Sequence, residues 1–155
     1  MTASPFFEFE QDFVASLRCI PMGVRLKLDT CGVKLKLAHW HQFTQTERQT
    51  LVERPCYDAD TAATYRQCLQ SLVVQHTGQP AGELAVDPHP PWQSEDIPAP
   101  VKTQAQSHGL NLTSSQWQSL TVPQRFALIK LSRPSHENRN FMPALTEFGL
   151  AAGTS

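Results

Sequence analysis

Four cysteines and six histidines carry the widest chemical repertoire in this 155-residue chain. Thiolates and imidazoles hold zinc, and a Cys–His pair can run nucleophilic catalysis. Cys19 and Cys31 stand 12 positions apart, as do Cys56 and Cys68. Structural zinc sites draw paired ligands from much shorter spacings, and Pro21 interrupts the first segment. His39 and His41 are two apart, so on a helix they diverge by about 200° and do not share a metal easily. The expectation is buried or half-buried thiols, surface imidazoles, no metal and no cofactor. No G-x-S-x-G, Gly-rich phosphate loop or H-E-x-x-H occurs. A Cys–His pair assembled by the fold stays open, but nothing names a reaction, and the chain reads as a non-enzyme.

The densest polar run is Ser135-His136-Glu137-Asn138-Arg139-Asn140, set between Pro134 and the apolar Phe141-Met142-Pro143. Lys130 and Arg133 precede it on the last turn of an apolar helix. One reading is a helix end and loop, with the cations favouring the helix dipole and Asn140 capping the next helix. The other is a recognition surface anchored by Arg139 and His136. The candidate partner interface is therefore Arg133, His136, Glu137, Asn138, Arg139, Asn140 and Phe141. Arg18, Arg25 and Lys27 read as solvated helix-face charges.

The elements that must position these residues come from an internal repeat. Gly32, Leu35, Trp40, Thr44, Arg48 and Leu51 recur 77 positions later as Gly109, Leu112, Trp117, Thr121, Arg125 and Leu128. Two copies are too few for a solenoid and predict a pseudo-symmetric pair around one core. Trp40 and Trp117, being equivalent, read as packing residues rather than a stacking platform for a cofactor or base. Val24–Leu28 and Val33–Leu37 alternate like a β-hairpin, yet the matching second copy, Val101 to His108, is Gln- and Ala-rich and helical. Helices in both copies are expected, with a hairpin over 24–37 as the alternative. Pro21 starts the first, and Pro98 or Pro100 the second. Thr44-Gln-Thr-Glu47 and Thr121-Val-Pro-Gln124 are capping boxes, and Val122–Ser132 reads as a central helix. Further helices are expected over Glu8–Leu17, with Phe9, Phe13 and Leu17 on one face, and over Asp58–His76 with Gly78 as its stop.

The predicted fold class is all-α: one helical domain over 6–150, repeat units at about 21–55 and 98–134, and a disordered tail at 151–155. Six prolines between 80 and 100 predict an extended connector over 79–100, packed by Trp92. A length of 155 residues with 40% apolar content suffices for a core without staples. Lys and Arg number 13 against 14 Asp and Glu, which argues against nucleic-acid binding. No apolar run reaches the roughly 18 residues of a membrane span, and Met1–Pro5 lacks the pattern of a secretory leader. A cytoplasmic protein with reduced thiols is expected.

The run Phe9-Glu-Gln-Asp-Phe-Val-Ala-Ser-Leu-Arg-Cys-Ile-Pro-Met22, continued by Val24-Arg-Leu-Lys-Leu-Asp29, resembles the opening of the nitrate reductase associated protein family, found mainly in cyanobacteria. Arg125-Phe-Ala-Leu-Ile-Lys-Leu-Ser-Arg-Pro134, His136-Glu-Asn138, Asn140-Phe141 and Glu147-Phe-Gly-Leu150 resemble its close. The similarity runs from residue 6 to 150. It implies a partner rather than a reaction: assimilatory nitrate reductase, a ferredoxin-dependent enzyme with a molybdopterin cofactor and an iron–sulfur cluster. The implied role is a non-enzymatic accessory or maturation factor that makes or keeps that enzyme active. The resemblance carries over no catalytic residues. A small thiol or metal carrier, or a ligand-sensing regulatory module in the same pathway, is the alternative.

Overall fold

Pro21 holds an extended backbone (φ −63°, ψ 154°), and the chain enters helix α1, Met22–Cys31, directly after it. Gly32 ends that helix at φ 77°, a left-handed conformation that costs an L side chain strain. This computed structural model describes residues 6–11, 16–134 and 136–150, without the side chains of His136 and Glu137. After Gly32 come strand β1 (Val33–Lys34) and helices α2 (Leu37–Gln42), α3 (Gln45–Glu53) and α4 (Ala59–Thr77), then strand β2 (Gly82–Glu83). A 3-10 turn at Pro91–Gln93 precedes α5 (Ala99–Ser107), α6 (Ser114–Gln118) and α7 (Val122–Leu131). A second 3-10 turn, His136–Asn140, leads into α8 (Phe141–Glu147). The fold is predominantly helical, as the sequence predicts, and its small sheet pairs Val33 with Glu83 and Lys34 with Gly82, antiparallel.

The alternative hairpin over 24–37 does not form. Residues 24–31 are helical, and the two-residue β1 takes its partner from 82–83. Alternating Leu and Lys also suits a helix whose charged stems lie along an apolar face, and the prolyl start with the glycyl stop favours that solution.

The chain divides into two compact units, Met1–Asp87 and Pro88–Ser155, and each holds one copy of the repeat. In the first, α1 and α4 pack on each other, with Val24, Leu28, Leu51, Tyr65, Leu69 and Val73 in the core. In the second, α7 is buried on nearly every side, at Phe126, Ala127, Leu128, Ile129 and Leu131. It packs on the 91–93 turn, where the Trp92 ring meets Phe126 edge-on at 5.0 Å, and on α5 and α8. Within 79–100, then, the chain is not simply extended: it contributes β2 and this turn.

The two copies reproduce one latch. Each begins at a prolyl N-cap, Pro21 or Pro98, and turns at a glycine of φ 77° or 78°. Trp40 and Trp117 are wholly buried, which fits their expected packing role. Their indole N–H groups donate to Leu17 O at 2.8 Å and Ser94 O at 2.9 Å. Arg48 Nε donates to Trp40 O at 3.0 Å and its Nη2 to His41 O at 3.1 Å. Arg125 does the same with Trp117 O at 3.1 Å and Gln118 O at 3.0 Å. Trp40 O and Trp117 O also accept from Phe43 N at 3.2 Å and Leu120 N at 3.1 Å, while His41 O and Gln118 O lie in the last turn of their helices, so the arginine caps one helix from the next. Both predicted capping boxes are present, with Thr44 and Thr121 accepting from Glu47 and Gln124 N–H groups. A third, Thr113 with Gln116, starts α6.

Other expectations are corrected. In the helix expected over Glu8–Leu17, Glu8–Glu10 is a 3-10 turn, Gln11 is helical, 12–15 lie outside the described residues, and Leu17 leaves the helical region at φ 58°. Phe13 lies outside the described residues, as does the tail 151–155. The buried Leu17 tolerates its conformation because its carbonyl then meets both Trp40 Nε1 and, at 3.2 Å, Arg48 Nη1. Glu10, on which the sequence reading placed no role, is buried; its carboxylate accepts from Phe7 N and Met22 N, both at 2.9 Å. Pro21 has no side-chain group to cap α1, and the anion of Glu10 meets that need at the positive end of the helix.

Candidate functional site

The second unit carries the polar loop. Arg133 and Arg139 are exposed and Asn140 is half-buried. Asn138 faces inward: Gln104 Nε2 of α5 donates to its Oδ1 at 3.0 Å, while its own Nδ2 donates to Arg133 O at 3.3 Å. The side chain thus holds the 3-10 turn closed after α7. Phe141 is wholly buried, its ring stacked on His108 at 6.1 Å, so it anchors the loop from beneath. Asn140 occupies the N-cap position of α8, but its backbone is in the helical region (φ −88°, ψ −1°) and its side chain makes no cap. The side chains of His136 and Glu137 lie outside the described residues. Of the seven candidate residues, the described geometry presents Arg133 and Arg139 outward on a loop fixed by Asn138 and Phe141.

The first unit gathers the thiols. Cys31 and Cys56 are buried, Cys19 and Cys68 half-buried, and all four are free. Cys31 Sγ lies 3.8 Å from Leu28 O, and Cys56 Sγ lies 3.5 Å from Lys27 O. Lys27, expected on a solvated face, is half-buried instead. Its Nζ donates to Val52 O and Arg54 O, each at 2.6 Å, and lies 5.7 Å from the centre of the Tyr65 ring. It caps the C-terminus of α3 across the core. Tyr65, in turn, donates its hydroxyl to Leu51 O at 2.7 Å.

These environments shift the titrating groups. Each thiol acts on the other, pushing Cys31 down and Cys56 up, and burial opposes the first shift and reinforces the second. The Arg66 cation also favours the Cys31 thiolate. Burial lowers Lys27 and raises Tyr65. Beside Cys31, between α1 and α4, opens a cavity of about 440 Å³ lined also by Thr30, Ala62, Ala63, Arg66, Gln67 and Gln70. Small alanines leave the space, and Arg66, Gln67 and Gln70 lie along the face of α4 that borders it. That grouping escaped the sequence reading; the polar positions at i, i+1 and i+4 beside two alanines were its only local signal.

The histidines within reach of a partner serve structure. His39 Nδ1 accepts from Lys36 N at 3.1 Å, and His41 Nε2 lies 3.0 Å from Arg18 O. His76 Nε2 pairs with Glu47 Oε1 at 2.8 Å. Among the described residues no three His, Cys, Asp or Glu side chains converge as a metal site. No described helix is long and apolar enough to cross a membrane.

The family model described as conserved nitrate reductase-associated protein matches residues 6–148. No curated protein and no solved structure matches the chain.

Proposed function

We propose, from the premise that the chain belongs to the conserved nitrate reductase-associated protein family, that it is a non-enzymatic cytoplasmic accessory of assimilatory nitrate reductase. It acts by protein–protein contact during maturation or maintenance of that enzyme. The observation that carries this reading is the family match, which spans residues 6–148 and so includes both units and the loop. The loop geometry supports it. Arg133 and Arg139 project from a backbone already pinned by Asn138 and Phe141, so binding costs little ordering entropy. Guanidinium groups presented this way match carboxylates on a partner surface in bidentate fashion.

Titration calorimetry of purified nitrate reductase, with and without its molybdenum cofactor, against this protein tests the proposal. Arg139→Ala should weaken binding by about 1–2 kcal/mol, roughly tenfold. Its urea midpoint should not move, because the side chain is exposed. An unchanged isotherm removes the loop from the interface, and no binding to either enzyme form refutes direct contact.

A further inference from the structure

Ala62, Ala63, Arg66, Gln67 and Gln70 recur along one face of α4, and with Thr30 and Cys31 at the end of α1 they line the cavity of about 440 Å³. Most of its polar groups are already committed. The Thr30 hydroxyl donates to Leu26 O at 2.8 Å. Gln70 Oε1 accepts from Ala81 N at 2.8 Å, and its Nε2 donates to Ala81 O at 3.0 Å. Two side chains remain for a molecule from outside. The Gln67 amide is exposed and, among the described residues, makes no hydrogen bond. Arg66 supplies the charge: the described lining holds this one cation and no carboxylate.

The guanidinium already shows what it accepts, because it pairs with the carboxylate of Glu83 on β2. The two side chains are 42% and 71% exposed, so the pair is well solvated and contributes little. Glu83 does not line the cavity and fills none of it. A carboxylate arriving from solution makes the same charge-assisted bonds and can also lay apolar atoms against Ala62, Ala63 and Cys31. That burial is the advantage an outside acid holds over Glu83.

We propose that the α1–α4 cavity binds a small monocarboxylate with a short apolar chain, its carboxylate on Arg66 in exchange for Glu83 and its chain between the two helices. Gln67 Nε2 donates to the same carboxylate. One cation selects one carboxylate: the second anion of a dicarboxylate would be desolvated with no cation to offset it. Alanine methyls select a hydrocarbon chain over a hydroxylated one, whose oxygens would lose water without gaining partners. The site is prepared in advance, since the two Gln70 bonds hold Ala81, and with it the start of β2, against α4 after Glu83 lets go. Nothing in this assignment depends on the 133–141 loop or on a protein partner.

The test titrates the full-length chain with sodium hexanoate and follows backbone amide shifts by two-dimensional NMR. Saturable shifts should centre on residues 30–31, 62–70 and 82–83, with a dissociation constant on the order of 1 mM. From butyrate to hexanoate each added methylene should tighten binding about two- to fourfold. Hexanol and hexanedioate should both bind more weakly than hexanoate. Arg66→Gln should weaken hexanoate about fivefold and leave hexanol unchanged. Glu83→Gln, which removes the resident competitor, should strengthen hexanoate about threefold. Shifts that do not saturate, or that centre elsewhere in the chain, overturn the site on the unaltered protein, whether or not the variants fold. Hexanol binding as tightly as hexanoate overturns recognition by Arg66. Tighter binding of hexanedioate, or of inorganic phosphate, overturns the choice of a monocarboxylate. An affinity unchanged in Glu83→Gln overturns the exchange.

Discussion

Replacing Arg48 by alanine removes a guanidinium that serves three backbone carbonyls. The Trp40 and Leu17 acceptors are partly buried, at 3.0 and 3.2 Å, and the His41 acceptor is exposed at 3.1 Å. Water can take over at His41 O, so that bond contributes little. The other two, with a charged donor, are each worth about 1–1.5 kcal/mol in a half-exposed setting. Contact of the guanidinium with the Trp40 ring, 6.0 Å to its centre, adds about 0.5 kcal/mol. The expected loss is about 2.5–3.5 kcal/mol. Lysine places one donor cluster where arginine places a planar fork, so Arg48→Lys should recover less than half. Arg125 repeats the geometry on Trp117 O, Gln118 O and, at 3.3 Å, Trp92 O, so Arg125→Ala should cost its own unit a similar amount. Urea unfolding followed by tryptophan fluorescence measures both, since Trp40 and Trp117 report one on each copy. A loss below about 1 kcal/mol for both alanine variants, or full rescue by lysine, refutes the view that the arginines cap the preceding helices.

Two further substitutions separate backbone strain and charge. Gly32→Ala and Gly109→Ala carry the same left-handed penalty of about 1 kcal/mol, at φ 77° and 78°. A Cβ at 32 would also lie 2.8 Å from Val86 Cγ2 and 2.9 Å from Leu84 O, whereas nothing stands within 4 Å at 109, so Gly32→Ala should cost clearly more by urea midpoint. Glu47→Gln keeps the capping box, as Gln124 does in the second copy, but removes the anion facing His76. The Thr44 backbone N–H first, and His76 after it, hold the Glu47 carboxyl below its ordinary value of 4.5. Its folded-state value is lowered, so its contribution is present above the unfolded value and lost as pH falls through the lower folded one. The wild-type protein should therefore lose stability faster than Glu47→Gln between about pH 5 and pH 3. Identical acid profiles by circular dichroism would rule that out.

Local chemistry was legible in the residues themselves. Pro21 and Gly32 set the ends of α1, Thr44 and Thr121 set capping boxes, and Asp58 and Gly78 bracket α4, because each acts on a backbone group within a turn or so of itself. The repeat was legible for the same reason: the Trp–Arg latch links residues eight apart in both copies. The role of Glu10 was not legible because it depends on Met22 N, and no local pattern connects them. Lys27 looked solvated because its acceptors, Val52 O and Arg54 O, belong to another helix end. Phe141 read as part of a surface loop, yet packing against α5 through His108 took it inside. The placing of Cys31 beside the α1–α4 cavity was likewise decided by packing. Sequence determines what a side chain can do to its own turn of backbone, since those atoms are always within reach. Which distant group it meets depends on how helices bury their apolar faces, and only the tertiary structure decides that.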